Sequence, residues 1–213
     1  RMNHCLWLIR REFWENRAIW ITPLVVLGAL LLLLLGGKVQ FGPIGGMDNG
    51  TPLGAIPADQ QEQLLLLVYA GISLMMFLVM GVVAFFYALD SLYSDRRDRS
   101  VLFWKSLPLS DGQTVLSKVV SALVLAPVIA TAAAIVTALG FLCILSGYAL
   151  FHGGNPIQLI WGPASPLSVA ANLVGALPVY ALWALPTVGW LLLVSAWARS
   201  KPFLWALLVP VFA

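Results

Sequence analysis

Trp20-Ile21-Thr22-Pro23-Leu24-Val25-Val26-Leu27-Gly28-Ala29-Leu30-Leu31-Leu32-Leu33-Leu34-Leu35-Gly36-Gly37 contains no ionisable side chain. A helix needs roughly 20 such residues to cross a hydrocarbon core about 30 Å thick. The run is longer than the apolar region of about 7–15 residues in a secretory signal, and a mixed-charge segment precedes it, so a retained membrane helix is predicted. Three more complete runs follow, Leu64 to Leu89, Val119 to Ala149 and Ala170 to Trp197, and a fifth opens at Phe203 and is still apolar at Ala213. As helix, that last run reaches only about 16 Å, so the chain is expected to continue past residue 213. Across its 213 residues the chain is 61% hydrophobic and 10% charged, against about 25% charged residues in a soluble domain. So few charges cannot cover that much apolar surface, which excludes a soluble globular fold. The expectation is an all-α, polytopic helical membrane protein forming one domain over residues 1–213. Its spans lie at about 20–37, 64–89, 119–149 and 170–197, with an incomplete one at 203–213.

The connections set the orientation. Gly36 to Gln61 and Phe151 to Pro166 are rich in glycine, proline and asparagine, which punctuate turns and argue against a regular element. Asp90 to Lys118 is charged and carries aromatics, as a structured surface helix would. Lys and Arg accumulate in cytoplasmic loops close to the spans. With the N-terminus inside, the inner segments hold Arg1, Arg10, Arg11, Arg17, Arg96, Arg97, Arg99, Lys105, Lys118, Arg199 and Lys201, and the outer ones hold Lys38 alone. The N-terminus and the Asp90 to Lys118 connector are therefore expected to face the cytoplasm, and the two glycine- and proline-rich loops to face outward.

Within the third run Ala122, Ala126, Ala130, Ala134 and Ala138 recur every fourth residue. Small residues on one helix face permit close helix packing in lipid, so the stripe is read as a packing face. Pro127 there, and Pro178 and Pro186 in the fourth run, are expected to disturb their helices. No Asp, Glu, Lys, Arg or His lies inside any of the four complete runs. Secondary transporters usually need such groups in the membrane interior, which disfavours a self-powered carrier. No G-x-x-x-x-G-K-[ST] phosphate loop and no H-E-x-x-H metal motif occurs. His4 and His152 fall on opposite sides of the membrane in this topology and cannot share a metal. Two cysteines make no disulfide framework, and Cys143 is expected to be a small buried hydrophobe.

Two segments outside the spans carry a signal. At 100° per residue, Asn3 to Ile19 places Leu6, Trp7, Ile9, Phe13 and Trp14 on one side and Arg11, Glu12, Glu15 and Asn16 on the other. That is the pattern of a helix lying in the membrane interface, with Arg10 and Arg17 snorkelling to headgroups. In the connector, Asp90-Ser91-Leu92-Tyr93-Ser94-Asp95-Arg96-Arg97-Asp98-Arg99-Ser100 is followed by Val101-Leu102-Phe103-Trp104-Lys105-Ser106-Leu107-Pro108. Ser110 and Gln113 then form an S-x-x-Q capping box opening the next helix. Five basic and four acidic residues share Asp90 to Lys118, so nucleic-acid binding is not indicated. Val101, Leu102, Phe103, Trp104 and Leu107, apolar in a charged loop, require a covering surface.

The order amphipathic helix, span, outer loop, span, charged cluster, apolar turn, Leu-Pro-x-Ser and lysine resembles the membrane subunits of type-2 ATP-binding cassette (ABC) exporters. The matching residues are Asp95, Arg96, Arg99, Ser100, Leu102, Leu107, Pro108, Ser110 and Lys118. Arg99 stands where that pattern commonly has glycine, and Phe103-Trp104-Lys105 replaces aliphatic residues. The resemblance implies a permease subunit of an ABC transporter, with no cofactor of its own, ATP bound on a separate ATPase subunit, and a second permease subunit completing a homo- or heterodimer. It implies that Arg96, Arg97, Arg99, Val101, Leu102, Phe103, Trp104 and Leu107 form the ATPase-coupling element, a short helix seated in a groove of its partner. Two other readings stand beside it. A membrane-embedded enzyme would need a base to activate Ser73, Ser121 or Ser146, and none lies in the runs. A non-catalytic scaffold or assembly protein would bring no ATPase.

Overall fold

The computed structural model describes residues 3–36, 57–97, 110–151, 155–162 and 165–212. These are almost wholly helical, with no strand among them. The helices are α1 (Asn3–Glu15), α2 (Ala18–Leu35), α3 (Ala58–Arg97), α4 (Asp111–Val120), α5 (Ala126–Phe151), α6 (Pro166–Trp197) and α7 (Pro202–Phe212). A π-helical turn, Ser121–Leu125, joins α4 to α5, and another, Ile157–Trp161, follows α5. Three stretches are long and apolar enough to cross a membrane: Asp59–Arg97, Asp111–Phe151 and Pro166–Trp197. The 18 residues of α2 rise about 27 Å, close to one core thickness. The 40 residues of α3 rise about 60 Å, so this helix is far longer than the apolar run at Leu64 to Leu89 that it contains.

Large apolar side chains stand exposed along these helices, among them Leu67 (71%), Leu182 (73%) and Trp183 (80%). In water that would be an aggregating surface, and in lipid it is the ordinary exterior of a helix. Cys143 belongs to that exterior. It is exposed, contrary to the burial expected of it, because Leu142 takes the inward position and the next residue lies 100° further round.

Local chemistry explains the helix boundaries. The Ser110 hydroxyl accepts from the Gln113 N–H (3.3 Å), and the Gln113 side-chain oxygen accepts from the Ser110 N–H (3.3 Å). This is the capping box expected from the sequence, and it opens α4. The π-turn ends two residues before Pro127. A proline lacks the N–H and crowds the carbonyl four residues back, and a wider turn at that point relieves both. It also takes back part of the angular drift that a four-residue alanine spacing accumulates in a regular α-helix. Ser165 (φ 37°) and Lys201 (φ 49°) adopt the left-handed conformation unusual for non-glycine residues. Each precedes a proline that starts a helix, where its fixed φ is pre-organised. The segment Phe151 to Pro166 was expected to lack regular structure. The Ile157–Trp161 turn forms there because Asn155 Oδ1 accepts from the Ile157 N–H (3.1 Å), Ile160 is fully buried, and Trp161 Nε1 donates to Ser146 Oγ (2.9 Å).

The chain gathers into two compact units. The first comprises Arg1–Thr22, Val79–Ile129 and Ala176–Ala213, the second Pro23–Leu78 and Ala130–Gly175. The second unit has an apolar core of Leu65, Tyr69, Ile72, Phe141, Leu142, Ala149 and Ile160, with Val68, Ala138, Leu145 and Val169 packed against it. Here Gly140 admits a close approach: a Cβ at that position would meet Leu31 Cδ2 at 2.9 Å. In the first unit α1 packs on α4 and on the π-turn, and α7 meets α6 through Trp205 on Trp197 (ring centroids 5.3 Å) and Trp190 Nε1 donating to the Ala206 carbonyl (3.3 Å). Along the alanine stripe, Ala122, Ala126, Ala130 and Ala134 are buried and Ala138 is half-buried.

Candidate functional site: a buried ion-pair node flanking the connector

The first unit holds a cluster of charge that the sequence pattern did not disclose. Lys118, in the last turn of α4, directs its Nζ to Glu12 Oε1 of α1 (3.3 Å), Asp95 Oδ2 of α3 (3.0 Å) and the Ser91 carbonyl of α3 (3.0 Å). Of its three N–H donors, two reach Glu12 and the Ser91 carbonyl, and Asp95 pairs with the charge. Glu12 accepts in addition from the Tyr87 hydroxyl (2.7 Å) and from Asn16 Nδ2 (3.3 Å), and the same amide donates to the Glu12 carbonyl (3.2 Å). The side chains of Lys118 and Glu12 are each 5% exposed, that of Asp95 18%.

Removing charges from water is costly, and it is tolerated only when partners with good geometry replace the lost hydration. The node meets that condition by drawing its donors and acceptors together from α1, α3 and α4. A helical wheel of α1 sends Glu12 to the polar side, toward water. In the fold the inward side of α1 instead runs through Leu8 and Glu12, both buried, while Trp14 is exposed. The reversal comes from Lys118, 106 residues away in the chain, which no local periodicity can register. Arg11 and Glu15 keep the expected solvent face, joined by an i,i+4 ion pair of 2.9 Å that contributes little at such exposure.

Beside the node, Arg96 Nη2 donates to the carbonyls of Ser195 (2.8 Å) and Ala198 (2.7 Å). These carbonyls end α6 and have no helical donor of their own, so Arg96 caps that helix, as a basic side chain does at a C-terminus. The buried Ser195 hydroxyl accepts from the N–H groups of Leu92 (3.1 Å) and Tyr93 (3.0 Å). The last turns of α3 are thereby fixed to both α4 and α6.

Of the coupling residues expected from the sequence, Arg96 and Arg97 close α3, while Arg99, Val101, Leu102, Phe103, Trp104 and Leu107 lie outside the described residues. Ser100 and Pro108 do so too, while Ser110 caps α4 and Lys118 lies in its last turn. Both flanks of the connector are therefore held: Asp95 and Arg96 before it, Ser110 and Lys118 after it. Chemically the node is a clamp that ties α1, α3 and α4 together. Among the described residues no three His, Cys, Asp or Glu side chains group as a metal set. Comparison of the chain with protein-family models, with curated proteins and with solved structures returns no match.

Proposed function

We propose that the chain is the membrane-spanning permease subunit of an ABC transporter, an exporter of the type-2 class, in the bacterial cytoplasmic membrane with its N-terminus and connector inside. A separate ATPase subunit supplies the energy, a second permease subunit completes the pathway, and α1 lies along the inner interface. The coupling element is the segment around Val101, Leu102, Phe103, Trp104 and Leu107.

One observation carries the reading. A short stretch of large apolar residues, in a motif resembling that of the exporters, is bracketed on both sides by residues tied into one buried node. An element that transmits a partner's rigid-body motion needs stiff attachments at both ends, and Lys118–Asp95 with Lys118–Glu12 supplies them. The absence of a phosphate-loop motif and of charges inside the apolar runs agrees with a subunit whose energy comes from elsewhere.

Affinity purification of the natural full-length protein from its own membranes tests the reading. An ABC-type ATPase should co-purify in stoichiometric amount, and a preparation without one would favour the scaffold instead. Single-cysteine labelling from outside should modify a cysteine placed at Asn49 and spare one at Ser94. The opposite pattern would invert the topology and remove the ATPase from reach.

A further inference from the structure

The first unit contains a cleft of about 580 Å³ between the α1–α2 link, α3 and the start of α7. That volume falls in the range of small-molecule sites. Its walls are apolar, from Ile19, Val82, Val83, Phe86, Pro202 and Phe203, with Asn16, Tyr87 and Asp90 adding polar atoms. Phe86 and Phe203 lie nearly parallel with centroids 6.2 Å apart, so the aromatic wall is built by two elements together.

The charged residues that line this cleft, or adjoin its lining in the chain, differ from those of the node. Asp90 is exposed, and among the described residues its carboxylate has no hydrogen-bond or ion-pair partner. The Asn16 amide turns its nitrogen to Glu12, which leaves Oδ1 as a further acceptor. Arg17, between the lining residues Asn16 and Ala18, and Lys201, before the lining Pro202, are both exposed, and their side chains likewise have no ion-pair partner among the described residues. Asp90 directly follows the apolar run of α3, Arg17 precedes that of α2 and Lys201 that of α7. Each charge thus stands where an apolar run meets its polar flank, and the cleft's apolar walls belong to the adjoining ends of those runs.

We infer that the cleft is a binding site for a phospholipid with a primary-amine headgroup, phosphatidylethanolamine. Its ammonium pairs with Asp90 and Asn16 Oδ1, its phosphate with Arg17 and Lys201, and an acyl chain lies along Val82, Phe86 and Phe203. A lone carboxylate selects for a cation, and flanking basic groups select for a phosphate beside it. A zwitterion that carries both, with a hydrocarbon tail, matches the full set. The inference needs the helices to stand in a membrane but does not depend on coupling to an ATPase.

The test uses the full-length protein, equilibrated in mild detergent with equal amounts of phosphatidylethanolamine, phosphatidylcholine and phosphatidylglycerol. Retained lipid is then counted by native mass spectrometry. The wild type should keep phosphatidylethanolamine at least fivefold over either competitor. Asp90→Asn should abolish that preference and Asp90→Glu should restore it. The double change Arg17→Gln with Lys201→Gln should lower total phospholipid retention. Equal retention of the three lipids by the wild type, or an unaltered preference in Asp90→Asn, would overturn the site. Full retention in the Arg17/Lys201 variant would overturn the phosphate contact and leave a free amphiphilic amine as the better ligand. No retained lipid in the wild type would mean that protein fills the cleft, which also overturns the inference.

Discussion

In the second unit, Leu65, Tyr69, Ile72, Phe141, Leu142 and Ile160 bury apolar surface against one another and Gly140 lets Leu31 approach closely. In the first, Glu12, Asp95 and Lys118 bury charge against charge. The contrast follows position along the chain: Leu65, Tyr69, Ile72, Phe141 and Leu142 lie inside the apolar runs, whereas Glu12, Asp95 and Lys118 lie outside them. Lipid tails are as apolar as leucine, so helices surrounded by them gain little hydrophobic free energy by associating and depend on close packing and polar contacts. Shape alone discriminates weakly among smooth leucine-rich faces. A three-way ion pair discriminates strongly, because any misplacement leaves a buried charge unpaired. The apolar core fills space, and the node specifies which helices meet and in what register.

Breaking the node should have the largest effect. Lys118→Met removes the cation that faces Glu12 and Asp95, and loss of one partner from a buried pair costs about 3–5 kcal/mol. A denaturant titration in detergent should show this as a large drop in midpoint, and adding Glu12→Gln should recover part of it. A drop no larger than that of a surface lysine would show that the node does not hold the unit together. Tyr87→Phe removes the hydroxyl that donates to Glu12, a bond to a charged group with a contribution of about 1.5–3 kcal/mol. The same titration should place it below Lys118→Met.

The opposite side of the comparison is sharpened by Gly140→Leu. The new side chain meets Leu31, and overpacking of this kind costs about 1–3 kcal/mol. Adding Leu31→Ala should relieve it, which no general loss of helix stability would do. The smallest effect belongs to Ser110→Ala, which deletes the cap of α4 at a cost of about 1 kcal/mol. Hydrogen exchange should show faster opening of the first turn of α4 with no change at Gly140.

Where local chemistry decides, the sequence was readable. The apolar runs from Leu64 to Leu89 and from Ala170 to Trp197 lie wholly in α3 and α6, Ser110 and Gln113 close the capping box, and Pro127 marks a disturbed helix. What escaped notice depends on residues far apart in the chain. Glu12 reads as a solvent-facing acid until Lys118 is brought to it, and nothing local to Arg96 signals that it caps the end of α6. Gly140 reads as an ordinary glycine until Leu31 arrives. The π-turn at Ser121–Leu125 carried one usable signal, the proline two residues beyond it, which pointed to a disturbance but not to its form.

The most direct measurement is retention of the ATPase by the double variant Phe103→Ala, Trp104→Ala. Large side chains of this kind contribute roughly 1.5–3 kcal/mol each when buried, and truncating an aromatic anchor at an interface can cost 2 kcal/mol or more. In a pull-down from solubilised membranes, the wild type should hold the ATPase and the double variant should bind it at least tenfold more weakly, with insertion and helix content unchanged. Retention equal to the wild type would contradict the assignment of residues 101–107 as the coupling element, and with it the proposal that this chain works through an ATPase partner.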